Sequence, residues 1–168
     1  MELDFEIDKI TELIESVETG ERFDTLVLPV GEADLRGVTK KNGWLFDWKS
    51  ELEDYQVYKL VVTEKEPDVI QGLVSFEKRR DHFHMNLIES APANQGKGKK
   101  YIGVSGNLIA YGCKMSMEAG FNGVVAFDSK TALIEHYQNE LGAVFIGGQR
   151  MAIVEEKAKF YIDKYFPQ

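Results

Sequence analysis

Residues Phe83 to Phe121 read FHMNLIESAPANQGKGKKYIGVSGNLIAYGCKMSMEAGF, and this run decides the fold. It begins as an apolar strand and passes through a turn rich in lysine and glycine. It then opens directly into a helix whose apolar face is Leu108, Ile109, Gly112, Cys113, Met115 and Ala119. Gly103, Ser105 and Gly106 fall where that helix starts. The first turn of a helix carries backbone N–H groups with no intrahelical partner, and small residues let an anion approach them. Lys97, Lys99 and Lys100 add positive charge beside those donors. The layout suits a phosphate or pyrophosphate, although a solvated lysine loop fits the same residues.

Upstream of this run, Tyr55–Thr63, Val69–Phe76 and His82–Glu89 read as three antiparallel strands joined by the turns EKEPD and KRRD. Nearer the N-terminus, Ile7, Ile10, Leu13, Ile14 and Val17 recur at helical spacing and predict a helix stopped at Thr19-Gly20. Thr25–Val30 reads as a strand and residues 31–43 as a loop. Trp44, Leu45, Phe46 and Trp48 cluster without clean periodicity, either as core or as the mouth of a substrate site. Downstream, Gly123–Phe127 is a buried strand. Asp128 or Ser129 then caps a helix bearing Leu133, Ile134, Tyr137 and Leu141, which Gly142 stops. Ala143–Ile146 and Met151–Val154 form a hairpin, and a last amphipathic helix carries Ala158, Tyr161, Ile162, Tyr165 and Phe166. This order predicts an α+β fold in one domain spanning residues 1–168: a mixed, mostly antiparallel central sheet with helices on both faces.

Composition removes several classes of function. A chain of 168 residues with 43% hydrophobic and 29% charged residues is long enough to bury a core and too apolar for large-scale disorder. The single Cys113 excludes an internal disulfide and a thiolate cluster. A formal charge of −8 disfavours nucleic acid as a partner; it is compatible with a cationic amine or a basic peptide, or with solubility alone. No apolar run reaches the roughly 18 residues of a membrane span, and the acidic start MELDFEIDKI is unlike a signal, so a cytoplasmic protein is expected. His82 and His84 are two apart with no evident carboxylate partner, and no metal is expected. The third glycine of a dinucleotide fingerprint and the Gly-Lys-Ser/Thr of a Walker loop are both missing around Gly96 and Gly98.

The run Lys100-Tyr101-Ile102-Gly103-Val104-Ser105 resembles the acyl-CoA loop of the GNAT superfamily of N-acetyltransferases. Lysine stands where that family has Gln or Arg, and serine at its small residue. Glu118-Ala119-Gly120-Phe121 is similar to the frequent ending of the family's next helix. Lys130 to Ala143, KTALIEHYQNELGA, resembles the segment with an Asn and a Tyr seven residues later. Lys130 falls at the Asn position and Tyr137 at the Tyr position. The resemblance spans roughly Tyr55 to Val154.

The resemblance implies acetyl-CoA as co-substrate, with no metal, and direct attack by a primary amine on the thioester. The amine belongs to a small molecule or a protein, and a homodimer is left open. An amine of pKa about 10.4 is neutral in roughly one molecule in 2,500 at pH 7, a cost of about 4.6 kcal/mol. A base or a desolvating site must offset it. The family's carboxylate near the fourth strand corresponds to Glu89, and Tyr137 would protonate the departing thiolate. Ile88, Glu89 and Ser90 would present backbone to the pantetheine arm, and Ile102 to Gly106 would meet the pyrophosphate. By periodicity alone Tyr137 also fits the core, and Glu89 a solvated strand end. A non-catalytic acyl-CoA-binding sensor or scaffold with the same fold is the competing expectation.

Overall fold

Apolar runs divided by short polar turns pair with their sequence neighbours, and the middle of this chain does so. The computed structural model describes residues 1–11 and 13–167. Glu12, inside the predicted first helix, and Gln168 lie outside the described residues. In chain order the elements are β1 (Glu2–Leu3), β2 (Ile14–Ser16), β3 (Arg22–Phe23), β4 (Thr25–Pro29), α1 (Trp48–Asp54), β5 (Gln56–Val62), β6 (Gly72–Lys78), β7 (Phe83–Ser90), β8 (Tyr101–Ile102), α2 (Val104–Glu118), β9 (Val125–Ser129), α3 (Ile134–Leu141), β10 (Val144–Gly147), β11 (Arg150–Ile153) and α4 (Glu155–Tyr165).

The main sheet is eight-stranded, in the order β10-β11-β9-β7-β6-β5-β4, with β1 attached to β9. Strands β4 to β7 are antiparallel, and α2 then carries the chain across to β9, which lies parallel to β7. A smaller sheet, β3-β2-β8, holds the loop that precedes α2. Helices cover both faces. Consecutive strand residues point to opposite sides: Ser75 donates its hydroxyl to Glu51 of α1 at 2.5 Å. Next to it, Phe76 lies so close to α2 that a Cβ on Gly112 would meet its ring at 2.5 Å. Cys113 is fully buried, and burial pushes its thiol up to about 12, so it is an inert core residue. No helix among the described residues is long and apolar enough to cross a membrane.

Two expectations are corrected. Among the described residues, 4–11 and Leu13 form no helix: Phe5, Ile7 and Ile10 pack on the core from a segment without regular structure, and Ile14–Ser16 is a strand. Packing against a waiting apolar surface overrides a spacing that reads as helical. Asp128 and Ser129 end β9 rather than capping a helix; Asp128 accepts from Arg150 at 2.6 Å, and the Ser129 hydroxyl donates to the Lys130 carbonyl.

His84, on β7, is buried, and its Nδ1 has no partner. Burial first, then Arg79 and Arg150, lowers it from 6.5 to about 4, with Asp128 opposing. A proton therefore binds the unfolded chain more readily than the folded one. The stability this neutral histidine contributes is intact above about 6.5 and lost as pH falls through about 4, by at most about 3 kcal/mol. Urea unfolding at pH 7 and pH 4.5 should show that loss, and His84→Gln should shrink it. An unaltered pH difference in the variant contradicts the assignment.

Candidate cofactor cleft

The site begins with a register shift. Ser75 pairs with Leu87 and Phe76 with Met85, which leaves Asn86 as an extra residue on β7. A bulge of this kind bends its strand and strengthens the local twist. Strands β7 and β9 are paired at Phe83–Val125 and His84–Ala126 only. Past that point they separate, and the far half of β9 pairs with β1 instead, Glu2 opposite Asp128 and Leu3 opposite Ser129. A V-shaped cleft thus opens between parallel strands, and the N-terminal segment of the chain lies in it.

That segment is fixed along both walls. The Met1 nitrogen lies 3.4 Å from the Asn86 amide oxygen, at the bulge. The Lys130 N–H donates to the Leu3 carbonyl at 3.0 Å, and the Lys130 ammonium pairs with Asp4 at 2.5 Å. Phe5 stacks on Tyr137 with centroids 4.6 Å apart and meets Phe127 edge-on. The Glu6 carbonyl accepts from the Ser105 hydroxyl at 3.2 Å. Asp8 accepts the Gly103 N–H at 3.2 Å and lies 3.6 Å from the Lys99 ammonium. Burial raises the Asp8 carboxyl above its usual range, against the pull of the Gly103 N–H and Lys99. The helix start therefore does receive an anion, and that anion is a side chain of the same protein.

The residues singled out from sequence surround this segment. Ile88, Glu89, Ser90 and Ser105 border a cavity of about 200 Å³ whose other wall includes Glu2, Asp4 and Phe5. Glu89 is buried, not a solvated strand end; one oxygen accepts the Leu45 N–H at 2.7 Å and the other the Trp48 indole N–H at 2.8 Å. Trp44 and Trp48 belong to the core, while Leu45 and Phe46 border the cavity, so the aromatic cluster serves both purposes. Tyr137 is buried across the cleft and donates to the Phe5 carbonyl at 2.7 Å. Burial, with the Asp4 carboxylate nearby, raises its phenol above the ordinary value, so it stays protonated.

At the loop, Gly103 has φ of +90° and caps α2, and Val104 is in the core. Gly106 abuts Tyr165, whose hydroxyl accepts the Thr11 N–H. Tyr101 takes its N–H to Asn94, and Ile102 pairs with Glu15 of β2. Lys100 pairs with Glu66 rather than pointing along the cleft. The sequence pointed to neither Phe5 nor Asp8, and it marked Leu45 and Trp48 as core or substrate mouth without their bonds to Glu89. Its overlooked signal was the strict alternation MELDFEID, apolar at odd positions and acidic at even ones, which is a strand's period.

No protein-family model and no curated protein sequence matches the chain. Solved structures do. A chimera of the spermidine N-acetyltransferase SpeG from Vibrio cholerae and hSSAT is similar over 81% of this chain and 98% of its own, with 19% identity and a TM-score of 0.54. The ribosomal-protein-S18-alanine N-acetyltransferase from Escherichia coli covers 77% and 93%, with 15% identity and a TM-score of 0.54. A mutant AtaT toxin, bound to the C-terminus of the antitoxin AtaR and acetyl-CoA, covers 82% and 97%, with 12% identity and a TM-score of 0.51. The chain has the GNAT acetyltransferase fold.

A Cβ at Gly103 would meet the Thr11 hydroxyl at 2.3 Å and the Leu13 carbonyl at 3.1 Å, at a φ that disfavours any side chain. Gly103→Ala should therefore cost about 2 kcal/mol. A chemical-denaturation midpoint equal to wild type would contradict this close approach.

Proposed function

We propose that residues 1–168 form one acyl-CoA-dependent N-acetyltransferase domain that moves an acetyl group from acetyl-CoA to a primary amine by direct attack. The observation that carries this reading is the opening between β7 and β9, with a carboxylate on one wall, a phenol on the other and a helix start at its end. The similar structures support it at the level of fold: the Vibrio cholerae and Escherichia coli proteins are N-acetyltransferases by name, and the AtaT structure contains acetyl-CoA.

In this reading the backbone of Ile88 to Ser90 pairs with the pantetheine amides, and the N–H groups of Ile102 to Gly106 receive the diphosphate. Lys100 and Lys130 add charge at the rim once free of Glu66 and Asp4. Glu89 accepts the ammonium proton, directly or through water, and the neutral nitrogen attacks the thioester carbon. The Tyr137 hydroxyl then donates its proton to the departing sulfur. Burial keeps the phenol protonated until the sulfur departs but makes it a weaker acid, so its part is a hydrogen bond to the sulfur that becomes proton transfer only as charge develops there. Leu45 and Trp48 fix Glu89 in one orientation, which keeps it aimed while it gains a proton.

A second reading, a non-catalytic acyl-CoA-binding module, draws on Glu89 having both oxygens engaged. Thiol release from acetyl-CoA with a panel of amines separates the two. Turnover on any amine favours the enzyme; CoA binding with no thiol release on every amine favours the module. For the enzyme, Tyr137→Phe should lower kcat about 10- to 100-fold with little change in CoA affinity, and Glu89→Gln should lower kcat by at least as much. Unchanged kcat in either variant removes that residue from the chemistry.

A further inference from the structure

We infer that residues 2–8 are a displaceable internal substitute for acyl-CoA: the closed chain must release them before the cofactor can enter. The inference rests on the acyl-CoA reading above and concerns the regulation of that same site.

Three observations carry it. First, the segment places backbone amides and a carboxylate inside the cleft that the acyl-CoA reading assigns to the cofactor. Glu2 and Leu3 pair their backbone with β9, on the wall opposite the Ile88–Ser90 edge assigned to the pantetheine amides, and the Asp8 carboxylate takes the helix-start N–H that would otherwise face a diphosphate. Six residue steps span about 20 Å, a length of the order of an extended pantetheine arm. The path runs from the anion seat at Gly103 to the bulge at Asn86. While the segment is there, the Gly103 N–H and the Ser105 hydroxyl are taken by Asp8 and the Glu6 carbonyl, and the space beside Ile88 to Ser90 is reduced to about 200 Å³.

Second, the cleft does not need the segment in order to exist. Strand β9 is held by β11 on one side and joins β7 at its start. Strand β7 is held along its whole length by β6, and α2 packs on both. Removing residues 2–8 takes away none of these pairings.

Third, the ladder that holds the segment is short, and beyond it the attachment is by single hydrogen bonds to Lys130, Tyr137, Ser105 and Gly103 and by the packing of Leu3 and Phe5. The ladder with β9 covers Glu2 and Leu3 alone, and the Asp4–Lys130 pair has side chains 49% and 54% exposed. Phe5 and Ile7 are only partly buried. The cavity of about 200 Å³ beside Glu2 to Glu6 leaves room for an incoming ligand to begin displacement.

Hydrogen exchange on the full chain, with and without saturating CoA, tests this together with calorimetric CoA affinities of wild type, Phe5→Ala and Asp4→Ala. Displacement predicts that amides of residues 3–8 exchange faster when CoA is bound, while residues 86–90 and 103–106 slow. It also predicts that Phe5→Ala binds CoA about tenfold tighter than wild type or better, and exposed Asp4→Ala a few-fold tighter. CoA bound with residues 3–8 still protected and affinities equal in all three chains overturns the displacement and leaves the acyl-CoA reading standing. No CoA binding by any of the three removes the acyl-CoA reading, and the inference falls with it.

Discussion

Two parallel strands cannot part inside a sheet without uncovering backbone N–H and C=O groups, each costing about 1–3 kcal/mol if left buried and unpaired. That constraint governs the centre of this protein. The extra residue Asn86 bends β7, and β9 leaves it after His84–Ala126. Whatever fills the gap must present its own amides and carbonyls to the strand edge. Here residues 2 and 3 do so along β9, and the Lys130 N–H bonds the Leu3 carbonyl just beyond. The bulge opens the cleft, and the N-terminal segment is what meets its exposed edge in the closed chain.

Electrostatics tells which parts of that segment hold it. Asp8 has its carboxyl raised by burial despite a backbone donor and Lys99 beside it. Its ionised form is thus worse off in the cleft than in water, and its bond to Gly103 satisfies that N–H more than it secures the segment. The exposed Asp4–Lys130 pair is worth about 1 kcal/mol at most. Leu3, buried, and Phe5, stacked on Tyr137, are the anchors, by burial of apolar surface at about 25 cal/mol per Å². Acidic residues at alternate positions keep the other face of the strand wetted and give the segment the sign of charge that a helix start accepts.

The fold was legible wherever pattern and pairing are local. The meander of β5 to β7, the crossover helix α2 and the hairpin of β10 and β11 each follow from apolar runs ended by turn residues, displaced by a few positions at most. The helix expected from Ile7 to Val17 failed because Ile7 also continues the two-residue alternation of Met1, Leu3 and Phe5, while Ile10 and Ile14 follow at helical spacing only. Tertiary demand from the open cleft chose the two-residue period, and the alternation over residues 1–8 already agreed with it. Glu89 and Tyr137 were nameable only through family resemblance. Their surroundings depend on contacts that no local pattern encodes: Glu89 with Leu45 and Trp48, Tyr137 with Phe5, far apart in sequence. The same holds for the Asp8–Gly103 contact, since nothing near Gly103 indicates that its anion arrives from the far end of the chain.

Magnitudes decide whether a filled cleft is compatible with a cofactor site. If Phe5 and Leu3 together favour closure by about 3 kcal/mol, only about one molecule in 150 is open, and apparent cofactor affinity falls by the same factor. A ligand with an intrinsic dissociation constant near 10 nM would then bind at about 1.5 μM, well within the range at which cellular cofactors act. Closure of that size would not abolish the site; it would set a threshold. The threshold has a chemical cause as well as a steric one. An empty cleft leaves the β9 edge and the Gly103 N–H unpaired, whereas the closed chain pairs them. A fixed plug and a threshold share the same closed conformation, and they differ only in whether the walls stand alone. The pairing of β9 with β11 and of β7 with β6, neither routed through residues 2–8, favours the threshold.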